Sequence, residues 1–260
     1  MRITFLGTGG AFTDFRVNYH NNALIDTEEG PVLLDCGLTA VQSMRELGVE
    51  RTDIRAVLFT HLHADHASPE TLIFERYYAG PHGPAFLNTT LVAPPDVIEP
   101  MGRTLRPYLH EFADQTGAFR NTGFDHLCVP VATHEIELGG VRFRFFRVPH
   151  VSGPGVDKPA YGVEIDDGQT RVYWSGDTTY SPRWIDAALS QDRTAGLFHE
   201  CLFLPPMPGT VHTHWEELCT LPDEARARIT LMHYTRVPEG LDLMGIGGAA
   251  KRHQSFTFGR

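Results

Sequence analysis

Within Thr60-His61-Leu62-His63-Ala64-Asp65-His66, three imidazoles and one carboxylate fall inside six consecutive positions, His61 to His66. These are nitrogen and oxygen donors of the kind that hold zinc, manganese or iron. A polar turn of solvated histidines is the plain alternative. Histidine is too uncommon for that alternative to carry much weight at this spacing. Ahead of the cluster, Ala56-Val57-Leu58-Phe59-Thr60 is an apolar run of buried-strand length. Such a strand delivers His61, His63, Asp65 and His66 onto the turn at its carboxyl end, where open α/β sheets place their chemistry.

The chain that must position this turn has 260 residues, the length of one large domain or two small ones, and can bury a sizeable core. With 42% apolar and 21% charged residues it has the composition of a globular protein, not a disordered one. Its formal net charge is -10, and its basic residues are 20 Arg and 2 Lys. An acidic surface repels a phosphate polymer, which argues against an extended nucleic-acid footprint and leaves room only for a local basic patch. Cys36, Cys128, Cys201 and Cys219 are scattered without a C-x-x-C pair and are expected to be reduced. The apolar run after Arg2 is too short for a signal peptide, and no run reaches membrane-spanning length. A cytoplasmic protein with no membrane contact is the expectation.

Taken in order, the pattern predicts a strand from Arg2 to Leu6 and a glycine loop, Gly7-Thr8-Gly9-Gly10. This is not G-x-G-x-x-G, so the glycines are assigned to a tight turn close to the metal site rather than to a dinucleotide. A hairpin follows about Glu28-Glu29-Gly30, then Asp35 and a helix from Leu38 to Leu47, which Asp35 could cap. Ser68-Pro69-Glu70 starts a helix that runs to about Tyr78. Residues 80–125 are irregular, with a strand expected from Phe86 to Val92 and a helix from Ile98 to Phe112. Their histidines, His82, His110 and His126, are assigned to surface or packing. Strands return at Leu127 to Val131, Glu135 to Leu138 and Val141 to Val148, the last ending in Val148-Pro149-His150. A further hairpin spans Tyr161 to Trp174 and ends in Ser175-Gly176-Asp177-Thr178. Helices are expected at Pro182 to Leu189 and His212 to Leu221. Strands carry Leu197-Phe198-His199-Glu200-Cys201 and Ile229 to Met232, with His233 at the end of the latter.

His-x-His-x-Asp-His after a short apolar strand resembles the metal-binding motif of the metallo-β-lactamase superfamily. Leu33-Leu34-Asp35-Cys36-Gly37 is similar to the segment whose aspartate supports that site from behind, and Ser175-Gly176-Asp177-Thr178 to the segment with its bridging aspartate. The resemblance implies an α/β fold, a four-layer αββα sandwich of two mixed β-sheets flanked by helices. It implies a single hydrolase domain over residues 1–260, with an insertion at about 80–125. It also implies two divalent metal ions, zinc first, with manganese or iron as alternatives. His61, His63 and His150 would hold one, Asp65, His66 and His233 the other, and Asp177 would bridge them with a shared water or hydroxide between. Such a pair lowers the pKa of the water and clamps attacking and leaving oxygens.

The carboxyl-terminal blocks narrow the resemblance to the tRNase Z branch. Phe198-His199-Glu200-Cys201 resembles its "HEAT" segment, His212-Thr213 its "HST" helix start, and Leu231-Met232-His233-Tyr234-Thr235-Arg236 its "LTHFSxR" block. That branch cleaves phosphodiesters, and the likeness assigns catalytic parts to Asp65, His199, Glu200 and His212. His199 would contact the phosphate and protonate the leaving oxygen. The tRNA-gripping arm is missing, because only 27 residues separate His150 from Asp177. Arm-less relatives act on cyclic nucleotides and small phosphate esters. The expected function is therefore a binuclear phosphodiesterase acting on a small or cyclic nucleotide, functioning as a homodimer. Phe74, Tyr77, Tyr78 and Phe86 could stack on the base, with core packing the alternative. The rival functions are RNA 3′-end processing, thioester or lactone hydrolysis and, last, a metal-bound sensor without catalysis.

Overall fold

A computed structural model describes residues 1–79, 82–109, 112–113, 116–120, 123–205 and 209–259. His110 and Met207 lie outside them. Two seven-stranded sheets form the body. The first runs, in spatial order, Ser255–Thr257, Arg2–Phe5, Ala23–Ile25, Val32–Leu34, Ala56–Leu58, Thr89–Ala93 and Cys128–Ala132. The second runs Gly248–Ala249, Ile229–Met232, Thr194–Glu200, Arg171–Trp174, Tyr161–Asp166, Val141–Arg147 and Glu135–Leu138. Both are mixed. Val32–Leu34 through Cys128–Ala132 pair in parallel in the first, and Arg171–Trp174 through Gly248–Ala249 in the second.

Side-chain alternation explains how the sheets face each other. In Val141–Arg147, Val141, Phe143 and Phe145 are buried while Arg142 and Arg144 point outward. Phe5 of the first sheet stacks on Trp174 of the second at 5.2 Å and meets the edge of Phe198 at 5.1 Å. Aromatic pairs at such distances add about 0.5–1.5 kcal/mol beyond their burial. A second apolar cluster, with Ile185, Leu189, Leu197, Leu218 and Leu231, packs the outer face of the second sheet against the helices Pro182–Leu189 and Trp215–Leu218. Helices Ala40–Glu46, Glu70–Tyr78 and Pro95–Tyr108 add Val41, Met44, Leu72, Ile73, Val97 and Met101 to the main cluster on the first sheet. The result is two mixed sheets flanked by helices, as the resemblance implies.

Several boundaries differ from expectation. The strand expected from Phe86 begins at Thr89, and the helix expected from Ile98 begins at Pro95, whose ring suits a first helical turn. The helix expected over His212 to Leu221 is only Trp215–Leu218, capped by His214 and Glu217, so His212 stands ahead of it in a bend of the chain. Asp35 does not cap Ala40–Glu46. Thr39 occupies that position without a side-chain cap, and the Asp35 carboxylate turns toward the histidine turn instead. The four cysteines are free, with Cys36, Cys128 and Cys201 buried. Among the described residues, no helix is long and apolar enough to cross a membrane.

Candidate metal centre

All the strands that lead into the centre end at one edge of the molecule. Ala56–Leu58 runs into Thr60 and His61, Val141–Arg147 into His150, Arg171–Trp174 into Asp177, and Ile229–Met232 into His233. Two groups of side chains result, His61-His63-His150-Asp177 and Asp65-His66-Asp177-His233. They match the two sets expected from sequence, and Asp177 belongs to both.

His63 Nδ1 lies 3.1 Å from His61 Nε2 and 3.2 Å from His150 Nε2. In the second group His66 Nε2 and His233 Nε2 are 3.3 Å apart, and Asp65 Oδ2 is 3.3 and 3.2 Å from them. Asp177 Oδ1 faces His66 Nε2 at 3.3 Å, while Oδ2 lies 3.4 to 3.9 Å from His233, His61 and His150. Donor atoms at bond lengths of about 2.0–2.1 Å around a tetrahedral cation stand about 3.3 Å apart. The spacing, the donor types and the buried Asp177 Oδ1, which accepts no hydrogen bond among the described residues, fit a pair of divalent cations.

The opposite ring nitrogens are held from behind, as metal-bound imidazoles require. His66 Nδ1 meets Asp35 Oδ2 at 2.8 Å, and His61 Nδ1 meets Thr60 Oγ1 at 3.1 Å. The Thr60 hydroxyl in turn donates to Asp35 Oδ2 at 2.8 Å, and its amide to Oδ1 at 2.8 Å. His150 Nδ1 donates to the Val211 carbonyl at 2.8 Å. Asn22 braces the turn itself, accepting from Gly37 at 3.0 Å and donating to the Asp65 carbonyl at 3.2 Å. Thr60, Asn22 and Val211 were not foreseen; a hydroxyl beside the first histidine and a buried asparagine before a strand were the available signals. Asp35 and His233 both sit at φ 58°, a left-handed conformation that costs a non-glycine residue about 1–2 kcal/mol. Gly10 lets the first loop approach, since a Cβ there would come within 3.1 Å of the His233 ring.

Charge is tightly balanced. Burial disfavours ionisation of His66, but Asp177, Asp65 and Asp35 outweigh it and push its pKa well up. Burial pushes His61 well down, with His66 adding to the effect. Burial also works to raise Asp65 and Asp177. His66 and His233 overcome it at Asp65, and His233, His66 and His61 at Asp177, so both stay ionised.

A third group, Glu200-His212-His233, adjoins the second. Glu200 Oε2 accepts from His212 Nδ1 at 2.7 Å and faces His233 Nδ1 at 3.5 Å. Its other oxygen accepts from the Thr178 amide. Burial opposes both charges in the Glu200–His212 pair, yet each partner's field prevails, lowering Glu200 and raising His212. The His212 side chain is 27% exposed, so the pair opens onto the cleft.

His199 is not brought to this edge. Phe198 faces the inter-sheet core, so pleat alternation turns His199 to the helix side and Glu200 to the metal side. The His199 ring is fully buried, stacks on Trp184 at 5.4 Å, and donates from Nδ1 to the Glu200 carbonyl at 2.7 Å.

Comparison with known proteins agrees with this geometry. An Anti-Pycsar protein Apyc1 from Paenibacillus sp. (strain J14) is 30% identical over 239 residues, 90% of this chain and 89% of the relative. One from Bacillus phage 010DV004 is 28% identical over 90% of this chain and 89% of its own length. The metallo-β-lactamase fold protein YhfI from Bacillus subtilis superposes with a TM-score of 0.70 at 18% identity, over 98% of this chain and 99% of YhfI. Human tRNase Z, short form, gives 0.68 at 16% identity, over 99% of each chain. These likenesses establish the fold as that of the metallo-β-lactamases. The family model for "Anti-Pycsar protein Apyc1" matches residues 1–256. This chain therefore belongs to the Apyc1 family of Anti-Pycsar proteins and has the metallo-β-lactamase fold.

Proposed function

We propose that this protein is a metal-dependent phosphodiesterase that hydrolyses a small phosphodiester, a cyclic nucleotide in particular. The observation that carries the reading is the Glu200–His212 pair, 2.7 Å between donor and acceptor, set against two ligand groups joined by Asp177. An acyl hydrolase acting on a thioester or lactone has less use for a charged proton donor at that place. Cations held by His61, His63, His150, Asp177, Asp65, His66 and His233 would supply electrophilic clamping of the phosphate and activation of water.

The chain's own residues then divide the work. Glu200 keeps His212 protonated through Nδ1, which leaves Nε2–H to deliver a proton to the leaving oxygen. General acid help of this kind contributes about 10²–10⁴-fold. Asp65, held ionised by His66 and His233, orients the attacking water. Asp35 and Thr60 hold His66 and His61 in one tautomer. The proton-donor role expected of His199 passes to His212, because His199 lies behind the strand against Trp184.

Substrate size follows from charge and from the short connection between His150 and Asp177, whose described hairpin is only Ser152–Gly153 paired with Val156–Asp157. A polymer requires many phosphate contacts, which a chain of net charge -10 is poorly made to supply. Phe74, Tyr77, Tyr78 and Phe86 do not support a stacking face. Tyr77 is 3% exposed in the core, and the other three pack against it. We keep one domain with an insertion at about 80–125, a cytoplasmic setting and a homodimer in the proposal; light scattering tests the last. The function is tested with zinc- or manganese-loaded protein on cyclic nucleotides, precursor tRNA, a thioester and a lactone. Cleavage of precursor tRNA with inert cyclic nucleotides would overturn the substrate, and acyl hydrolysis alone would overturn the reaction class.

A further inference from the structure

Of the ligands that belong to the second group alone, His66 is braced by Asp35, and His233 faces Glu200 from its Nδ1 side. Asp65 is the exception. Its Oδ2 lies between the His66 and His233 rings, and its other oxygen accepts no hydrogen bond among the described residues. Carboxylates that ligate a metal are normally hydrogen-bonded from behind, as the imidazoles are. A side chain suited to that task stands close by.

It is His20, which ends the first loop and opens the run that becomes the strand Ala23–Ile25. Its amide donates to Thr39 Oγ1 at 2.9 Å, which pins the main chain. The residue is 1% exposed, and neither ring nitrogen has a hydrogen-bond partner among the described residues. The Ala11 carbonyl lies near the ring, short of hydrogen-bond geometry. Phe15 meets the ring edge-on at 4.9 Å. Gly37 makes room between the ring and the histidine turn: a Cβ there would stand 3.0 Å from His20 Nδ1 and would collide with the Asp65 carbonyl. Asn22, two residues on, donates to that same carbonyl at 3.2 Å, so the segment already holds the Asp65 main chain. Burial pushes the His20 pKa down to about 4; of the charged groups that act on it, Asp65 comes first, ahead of His66 and His233. A neutral imidazole carries one N–H donor and one acceptor. Left buried without partners, such a ring is rare in native structures.

We propose that His20 is the positioning residue of Asp65, its ring donating to the carboxylate oxygen that His66 and His233 do not face, directly or through one buried water. The bond fixes the rotation of the carboxylate and so presents Oδ2 to the second cation. A neutral donor does this without adding charge to the pocket. The proposal rests on the metal pair of the reading above and not on its substrate.

The test measures zinc binding by chelator competition, and metal content by elemental analysis, in the wild type, His20→Leu and His20→Gln. His20→Leu fills the space without a donor and should weaken binding of one of the two ions by about 10–100-fold, leaving the other within a few-fold. His20→Gln keeps an N–H and should recover most of that loss. In an Asp65→Ala background His20→Leu should cost nothing further, because the carboxylate it serves is gone. Folded His20→Leu with both ions at wild-type affinity, equal losses in the two variants, or additive losses with Asp65→Ala would overturn the role. Should His20→Leu not fold, a crystal structure of the zinc-loaded wild type decides. A His20 nitrogen is expected within about 3.2 Å of an Asp65 carboxylate oxygen, or of one water bound to it. A ring with neither contact overturns the proposal. Fewer than two ions in the wild type overturns the metal pair, whereas two ions with an indifferent His20→Leu overturns only the part given to His20.

Discussion

The first sheet supplies His61, His63, Asp65 and His66 from a single turn, whereas the second supplies His150, Asp177, Glu200 and His233 from four separate strand ends. The first region is held locally, by Asp35, Thr60 and Asn22 within a few ångströms. The second depends on the register of strands far apart in sequence, such as Glu200 beside Met232 across a parallel pair. Asp177 is where the two regions meet. A local turn tolerates loss of a brace by loosening; an assembled edge fails where one strand end loses its group.

Asp177→Ala breaks that comparison most completely, because it removes a ligand from both groups. Turnover should drop to background and bound metal should fall below two per chain by elemental analysis; a variant that keeps both ions and its rate would refute the bridging role. Next comes the proton-transfer pair. Glu200→Gln and His212→Ala should each lower turnover by about 10²–10⁴-fold with metal content retained, and their combination should cost little more than either alone. Additive losses would show that the residues do not act as a unit. The local region predicts a milder effect: Asp35→Asn should weaken metal affinity by about 10–100-fold, measured by competition with a chelator, with residual activity restored at high metal.

The sharpest contrast inside the second region is between neighbours. His199→Phe, which keeps a ring against Trp184, should leave turnover within a few-fold of wild type, whereas Glu200→Gln beside it should not. A large loss in the folded His199→Phe protein would return the proton-donor role to His199. The smallest effect concerns stability away from the site. Arg193 is the main cause that holds Asp166 down to about 2, helped by the Gly168 amide and Arg171, from an ordinary 3.8, although burial pulls the other way. A depressed carboxylate contributes stability above its unfolded pKa and loses it as pH falls through the folded value. The wild-type melting temperature should therefore drop between about pH 4 and 2, and Asp166→Asn should flatten that part of the curve. An unchanged profile would show the cluster to be neutral.

The histidine turn, the strand that leads to it, the expected ligands and the two-sheet architecture were all legible in the amino-acid sequence. The reason is that a strand end writes its signature locally, as an apolar run that stops at a polar residue. His150 and His233 were legible for the same reason, although neither belongs to a local motif. The sequence did not disclose that Thr60 relays His61 to Asp35, that the Val211 carbonyl holds His150, or that His212 stands ahead of its helix facing Glu200. It gave both His199 and Glu200 a part at the site, and the structure turns Glu200 toward the ligand groups and His199 toward Trp184. Two adjacent strand residues always point to opposite faces, and nothing local says which face meets the metals. That choice is made where Phe198 packs against Phe5 of the other sheet, a contact between residues almost two hundred positions apart in the chain. The core set the parity of the strand, and the parity chose Glu200.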